Sequence, residues 1–153
     1  MTEARAEWQR ERRRAREAAL QMLYQCEVGQ VSAGEAMAAY AEIDQSITVA
    51  PGEAADFAVS LVEGTTGDLA RIDPIIEASS EHWRLSRMSV VDRAVLRLAV
   101  YQFLHAPDIP HPVVIDESVE LARRYGGEES SRFVNCVLDA VRRKLDAAAK
   151  PGP

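Results

Sequence analysis

The chain has 153 residues, 47% hydrophobic and 27% charged, which is typical of a globular protein with one domain or two small halves. Its net charge of −6 argues against nucleic acid as a ligand when only the sum is considered. The two cysteines form no C-x-x-C pair and no apolar run approaches the roughly 18 residues of a membrane span, so no disulfide framework, zinc site or transmembrane helix is predicted. The charged start lacks the pattern of a signal peptide, and a cytoplasmic protein is expected.

Apolar residues recur three and four positions apart along most of the chain, and no segment sustains a period of two. We therefore predict an all-α fold of about seven helices and no strand. The predicted helices cover about 10–27, 33–43, 53–63, 68–79, 89–105, 113–125 and 126–147. A frayed end is predicted before them, with a linker at 48–51 and a polar connector at 81–88. Gly64 is expected to end the third helix, and Pro74 to kink the fourth or begin its second half.

Charge is distributed unevenly along this pattern. Five arginines and one glutamate lie between Arg10 and Arg16, acids outnumber bases from Glu17 to Glu120, and basic residues return from Arg123 onward. If the two ends meet in the fold, they form one positive patch on an acidic body. The alternative is that the arginine cluster is a solvated helix end.

The last predicted helix begins with Glu128 and Glu129, where the helix dipole favours negative charge. Phe133 follows within its first turns, beside Arg132. An aromatic ring next to a cation can stack a base while the cation meets a phosphate. Spacing alone also fits Phe133 as a core residue, because apolar stripes usually mark burial.

Nothing in the sequence indicates an enzyme. The histidines lack the spacing of metal ligands, adjacent carboxylates on a helix point in different directions, and no phosphate-binding glycine motif is present. No catalytic residue, metal site or cofactor is predicted. The arginine cluster fits single-stranded RNA better than a membrane surface, because the opposite helix face is mostly alanine. Tyr24, Tyr125 and Phe133 are the candidate stacking platforms.

Four stretches, in this order, resemble the NusB family of transcription antitermination factors: 12–24 (RRRAREAALQMLY), 91–101 (VDRAVLRLAVY), 112–122 (PVVIDESVELA) and 131–139 (SRFVNCVLD). The resemblance implies two three-helix bundles plus an N-terminal helix, which we place in subdomains of about 10–80 and 81–148. It implies a non-enzymatic protein that pairs with NusE, a ribosomal protein of the small subunit. The pair is expected to bind the boxA element of nascent ribosomal RNA and to act in the antitermination complex of RNA polymerase. A homodimer is also compatible with the family.

The resemblance also implies site residues. RNA-contacting or neighbouring positions are Arg12, Arg13, Arg16, Tyr24, Glu129, Arg132 and Phe133. The region that meets NusE contains Asp92 and Arg97.

Two departures from the family pattern are visible. Cys136 stands where the family usually has glycine, so we expect a buried thiol at a close helix contact, as we do for Cys26. The segment before Arg10 contains acids, and these dilute the positive field of the arginine cluster between Arg10 and Arg16. Two other functions stay open from sequence: a detached NusB-like domain of an RNA methyltransferase, and a scaffold that binds only proteins.

Overall fold

A computed structural model describes residues 2–42, 52–81 and 83–149, and these ranges contain no strand. They form α1 (Glu3–Gly29), α2 (Ala33–Glu42), α3 (Glu53–Gly67), α4 (Leu69–Ser79), a 3-10 helix (Leu85–Arg87), α5 (Val90–His105), α6 (His111–Gly126) and α7 (Glu128–Ala149). The predicted all-α fold with about seven helices is confirmed. The linker predicted at 48–51 lies outside the described residues. None of the helices in the described ranges is both long and apolar enough to cross a membrane.

The start of α1 differs from the predicted frayed end. The helix begins at Glu3, and the backbone N–H of Arg5 donates to the side-chain oxygen of Thr2 at 3.2 Å. This cap satisfies one of the N–H groups that a helix leaves unpaired, and the carboxylate of Glu3 lies where the helix dipole favours negative charge. The prediction was wrong because it relied on apolar spacing, which is absent here, and gave no weight to the capping residue.

Contacts divide the chain into two units, and the first ends at Gly67. In this unit α1 packs against α2 and α3, and α2 packs against α3. The predicted apolar stripe of α1 is buried at Ala15, Ala19 and Leu23. Helix α3 continues through Gly64, where the sequence predicted its end. A glycine inside a helix costs about 1 kcal/mol relative to alanine, but burial of residues on both sides, such as Leu61 and Thr65, keeps the helix intact.

The second unit begins at Asp68 and contains α4 to α7. Its central helix is α5, which contacts α4, α6 and α7 and buries eight of its residues, as its dense apolar pattern predicted. The division falls earlier than the predicted boundary near residue 80. The reason is that α4, which sequence order grouped with the preceding helices, packs against α5 and α7.

Pro74 lies inside α4, in agreement with a helix that spans this residue. The helix is anchored on the second unit by polar contacts as well as by the buried Ile72 and Ile76. The ammonium group of Lys144 on α7 donates to the carbonyl oxygen of Ala78. Helix α4 is therefore an integral part of this unit.

The cysteines are less buried than the sequence predicted. Cys136 is exposed on α7, so it does not lie at a close helix contact, and Cys26 is only half-buried on α1. Partial burial nevertheless raises the pKa of the Cys26 thiol above its ordinary value, because desolvation disfavours the thiolate, and a backbone hydrogen bond opposes this only in part. The raised pKa makes the thiolate of Cys26 scarcer at neutral pH than that of an ordinary cysteine.

Candidate nucleic-acid interface

Three side chains on α1 lie on one helix stripe, four residues apart: Trp8, Arg12 and Arg16. The guanidinium carbon of Arg12 lies 4.9 Å from the centre of the Trp8 ring and 4.5 Å from that of Phe57 on α3. The guanidinium carbon of Arg16 lies 5.2 Å from the same Phe57 ring. Rings and cations thus alternate in the order Trp8, Arg12, Phe57, Arg16, which we call the α1 ladder. Cation–π contacts of this length hold the cations in place against the rings.

The predicted arginines differ in how far they reach solvent. Arg16 is only 6% exposed, Arg12 is half-buried with its guanidinium 3.9 Å from the carboxylate of Glu53, and Arg13 is exposed. Tyr24, farther along α1, is 42% exposed. Arg13 is therefore the arginine of this set best placed to meet a ligand from solvent, whereas Arg16 mainly holds the α1 ladder together.

The turn between α6 and α7 fixes where α7 begins. Gly127 has a φ of 93°, which favours glycine, and its N–H donates to the carbonyl oxygen of Arg123 at 3.0 Å. A Cβ on Gly126 would lie 2.4 Å from the hydroxyl oxygen of Ser130, so only glycine fits there without a shift. The guanidinium of Arg123 also donates to the carboxylate of Glu128 at 3.1 Å. These contacts end α6 at the glycine pair, as the sequence predicted, and fix the first turn of α7.

Phe133 in the second turn of α7 is half-buried, so it is neither a full core residue nor an open ring. Its ring meets that of Trp83 edge to face, with centroids 6.4 Å apart and planes at 74°. Trp83 is 52% exposed, and its backbone N–H donates to the carbonyl oxygen of Ser80 at 2.8 Å. Glu129 and Arg132 are exposed on the same helix. The start of α7 therefore presents aromatic, cationic and acidic groups together.

The two residues predicted to meet a protein partner lie on α5. Ser89 caps this helix as predicted, since the N–H of Asp92 donates to its hydroxyl at 3.1 Å. Asp92 is half-buried, and its Oδ1 has no hydrogen-bond partner among the described residues. Arg97 donates from Nε and Nη2 to the two carboxylate oxygens of Asp73 on α4, both at 2.9 Å. This bidentate pair gives Arg97 a structural role in the second unit.

Replacing Arg97 by alanine is expected to lower the free energy of unfolding by about 1.5 kcal/mol, because it leaves the partly buried Asp73 carboxylate without its donors. Urea unfolding measures this loss. The matched control is Asp73→Ala, alone and combined with Arg97→Ala. The double variant should be less destabilised than the sum of the single variants. Additive losses would contradict a structural pair.

Structure and sequence agree on which helix bears each predicted residue. Arg12, Arg16 and Tyr24 lie in the first unit with Arg13, and Glu129, Arg132 and Phe133 lie in the second. Sequence reasoning missed Trp8 and Phe57 as partners of the arginines and Trp83 as partner of Phe133. The spacing of four residues between Trp8 and Arg12 was an available signal, but the contact with Phe57 depends on tertiary packing. In the described ranges, no group of histidine, cysteine and carboxylate side chains is arranged to hold a metal ion.

The fold and these surfaces define a small all-α protein with cations and half-exposed aromatic rings on its helices. The chain belongs to the NusB family, whose model matches residues 13–143. It is 47% identical over 131 residues to the transcription antitermination protein NusB of Myxococcus xanthus, covering 85% of this chain and 93% of that protein.

Solved structures agree with this assignment. NusB of T. maritima superposes with a TM-score of 0.78 at 38% identity, covering 87% of this chain and 91% of that one. A second match is a crystal structure of antitermination factors NusB and NusE in complex with dsRNA. It has a TM-score of 0.78 at 28% identity and covers 88% of this chain and 98% of the other. The predicted family is confirmed.

Proposed function

We propose that this protein is an RNA-binding transcription antitermination factor that pairs with NusE and binds boxA RNA during ribosomal RNA transcription. The observation that carries the proposal is membership of the NusB family together with the likeness to a solved complex of NusB, NusE and RNA. The match spans 93% of the Myxococcus xanthus protein, which supports this function over the alternative of an RNA methyltransferase domain.

The RNA contacts proposed for this chain use two kinds of chemistry. The exposed cations Arg13 and Arg132 neutralise phosphates, and Arg12 contributes from its place in the α1 ladder. Tyr24 and Phe133 offer rings for unpaired bases. Arg16 contributes mainly by packing on Phe57.

The acidic group in this set is Glu129, which is exposed one turn before Phe133. A carboxylate accepts hydrogen bonds from the amino group of a base and repels phosphates. We propose that Glu129 favours a base over the backbone at the start of α7, and so adds preference for particular nucleotides rather than affinity.

NusE is the proposed protein partner, with Asp92 in its binding region. Arg97, which joins α5 to α4 through Asp73, is proposed to lie in the same binding region. Assembly with RNA polymerase and formation of a homodimer are further expectations of the family resemblance.

The proposed function predicts a defined order of affinities in a titration of fluorescently labelled boxA-like and scrambled RNA, with and without NusE. The boxA-like strand should bind more tightly than the scrambled strand, and NusE should tighten the binding of the boxA-like strand at least about tenfold, as expected for coupled sites. Anisotropy of the labelled RNA measures both. Equal affinity for the two strands would contradict boxA recognition.

Binding of NusE is followed separately by calorimetry. RNA binding without any NusE binding would refute the role as an adaptor. NusE binding that is intact while RNA binding is absent would support the scaffold that binds only proteins.

A further inference from the structure

Trp8 lies at the outer end of the α1 ladder. It precedes residues 13–143, the part of the chain that the family model matches. Its side chain is 49% exposed even though the guanidinium of Arg12 lies 4.9 Å from the ring centre. Trp8 therefore keeps about half of its surface open to solvent, where a flat ligand can reach it.

The ladder holds this ring in a defined position. Arg12 contacts Trp8 on one side and Phe57 on the other, and Phe57 is itself a residue of α3 that also meets Arg16. A ring fixed in this way loses little conformational freedom when a flat ligand stacks on its remaining surface. Trp8 is thus the last ring of the α1 ladder, and about half of its surface stays open to solvent.

The surrounding charges favour a base over a phosphate at this position. Arg5 and Arg12 lie three residues before and four residues after Trp8 on the helix, and Glu11 lies three residues after it. The guanidinium of Arg12 also lies 3.9 Å from the carboxylate of Glu53. The acids offset much of the positive field, so a phosphate gains little here. Stacking on an aromatic ring, by contrast, needs no net charge, because every base has a π-face.

We propose that Trp8 is a stacking site for an unpaired RNA base, one nucleotide beyond the contacts that the family-matched part of the chain makes. This inference rests on the proposed function, since it requires that single-stranded RNA binds along α1. The stacking site would give the segment before Arg10 a favourable RNA contact. From sequence, the only effect expected of this segment was that its acids dilute the positive field of the arginine cluster.

The first test uses tryptophan emission. The chain has two tryptophans, so in the variant Trp83→Phe the emission comes from Trp8 alone. Labelled single-stranded RNA is titrated into the full-length variant while RNA anisotropy and Trp8 emission are recorded together. We expect Trp8 emission to be quenched, and Trp8 to be shielded from acrylamide, with the same saturation as the anisotropy.

The outcomes separate this inference from the proposed function. RNA binding by anisotropy with unchanged Trp8 emission would overturn the stacking site and leave the proposed function standing. No change in anisotropy with the unsubstituted chain as well as with the Trp83→Phe variant would overturn both. A Trp8 signal that responds to NusE or to protein concentration, and not to RNA, would assign the ring to a protein interface and overturn the inference.

The second test compares substitutions at Trp8. We expect Trp8→Ala to weaken RNA binding about tenfold, and Trp8→Phe to stay within about threefold of the original chain, because a phenyl ring still stacks. The dependence of affinity on salt should be unchanged in both, since no phosphate contact is lost. If Trp8 only holds Arg12 in place, Trp8→Ala would remove one phosphate contact and reduce the salt slope by about 0.7. Such a reduced slope would overturn the stacking site. An affinity of Trp8→Ala within about twofold of the original chain would also overturn it.

Discussion

Binding of single-stranded RNA is expected to weaken by about two orders of magnitude when monovalent salt rises from about 50 to about 500 mM. Each phosphate neutralised by an arginine releases counterions, and for single strands the logarithm of affinity falls by about 0.7 per phosphate for each tenfold rise in salt. The three arginines proposed to meet phosphates, Arg12, Arg13 and Arg132, give a slope of about −2.1. The measurement is the affinity from RNA anisotropy at five or more salt concentrations.

The arginine that should affect this slope most cleanly is Arg13, because it is exposed whereas Arg16 is buried against Phe57. Arg13→Ala should reduce the slope by about 0.7 and weaken binding at low salt. Arg14→Ala is the matched control, since it removes the same charge from a neighbouring exposed position. Equal effects of the two substitutions would indicate attraction by net charge alone and would contradict the assigned surface.

Phe133→Ala is expected to weaken RNA binding about 30-fold, because removing an aromatic ring that stacks a base costs on the order of 2 kcal/mol. The ring is half-buried beside Trp83, so the same substitution also costs some stability. Thermal unfolding must therefore accompany the binding measurement, which is made at a temperature where the variant stays folded.

A matched variant separates stacking from packing at this position. Phe133→Leu retains much of the apolar volume but has no ring, so it should restore stability and leave RNA binding nearly as weak as in Phe133→Ala. Recovery of RNA binding by leucine would mean that Phe133 acts as a core residue that supports α7. That result, or unchanged affinity in both variants, would contradict its assignment as a base-stacking residue.

Helix positions were predictable from sequence wherever burial makes one helix face apolar. Helix α5 is the clearest case, since its dense apolar residues fill the centre of the second unit. The start of α1 was not predictable in this way, because residues 3–9 have no apolar face and depend on the Thr2 cap. The end of α3 was misplaced at Gly64, because burial of Leu61 and Thr65 outweighs the intrinsic cost of glycine.

The site residues were predicted from charge, spacing and family resemblance. None of these shows how far a side chain is exposed to solvent in the folded protein. The sequence could not distinguish the exposed Arg13 from the buried Arg16, because that difference depends on Phe57 from another helix. It likewise could not pair Trp83 with Phe133, which are 50 positions apart in the chain. Cys136 was expected to be buried because the family usually has glycine there, yet its position on α7 faces solvent.

We propose that the arginine-bearing part of α1 and the start of α7 each contact single-stranded RNA. Ultraviolet crosslinking of the protein with NusE to a boxA-like strand, followed by mass spectrometry of the crosslinked peptides, tests it most directly. We expect RNA crosslinks within residues 12–24 and within residues 129–133 of the same preparation. Crosslinks confined to other parts of the chain, or to only one of these two segments, would contradict it.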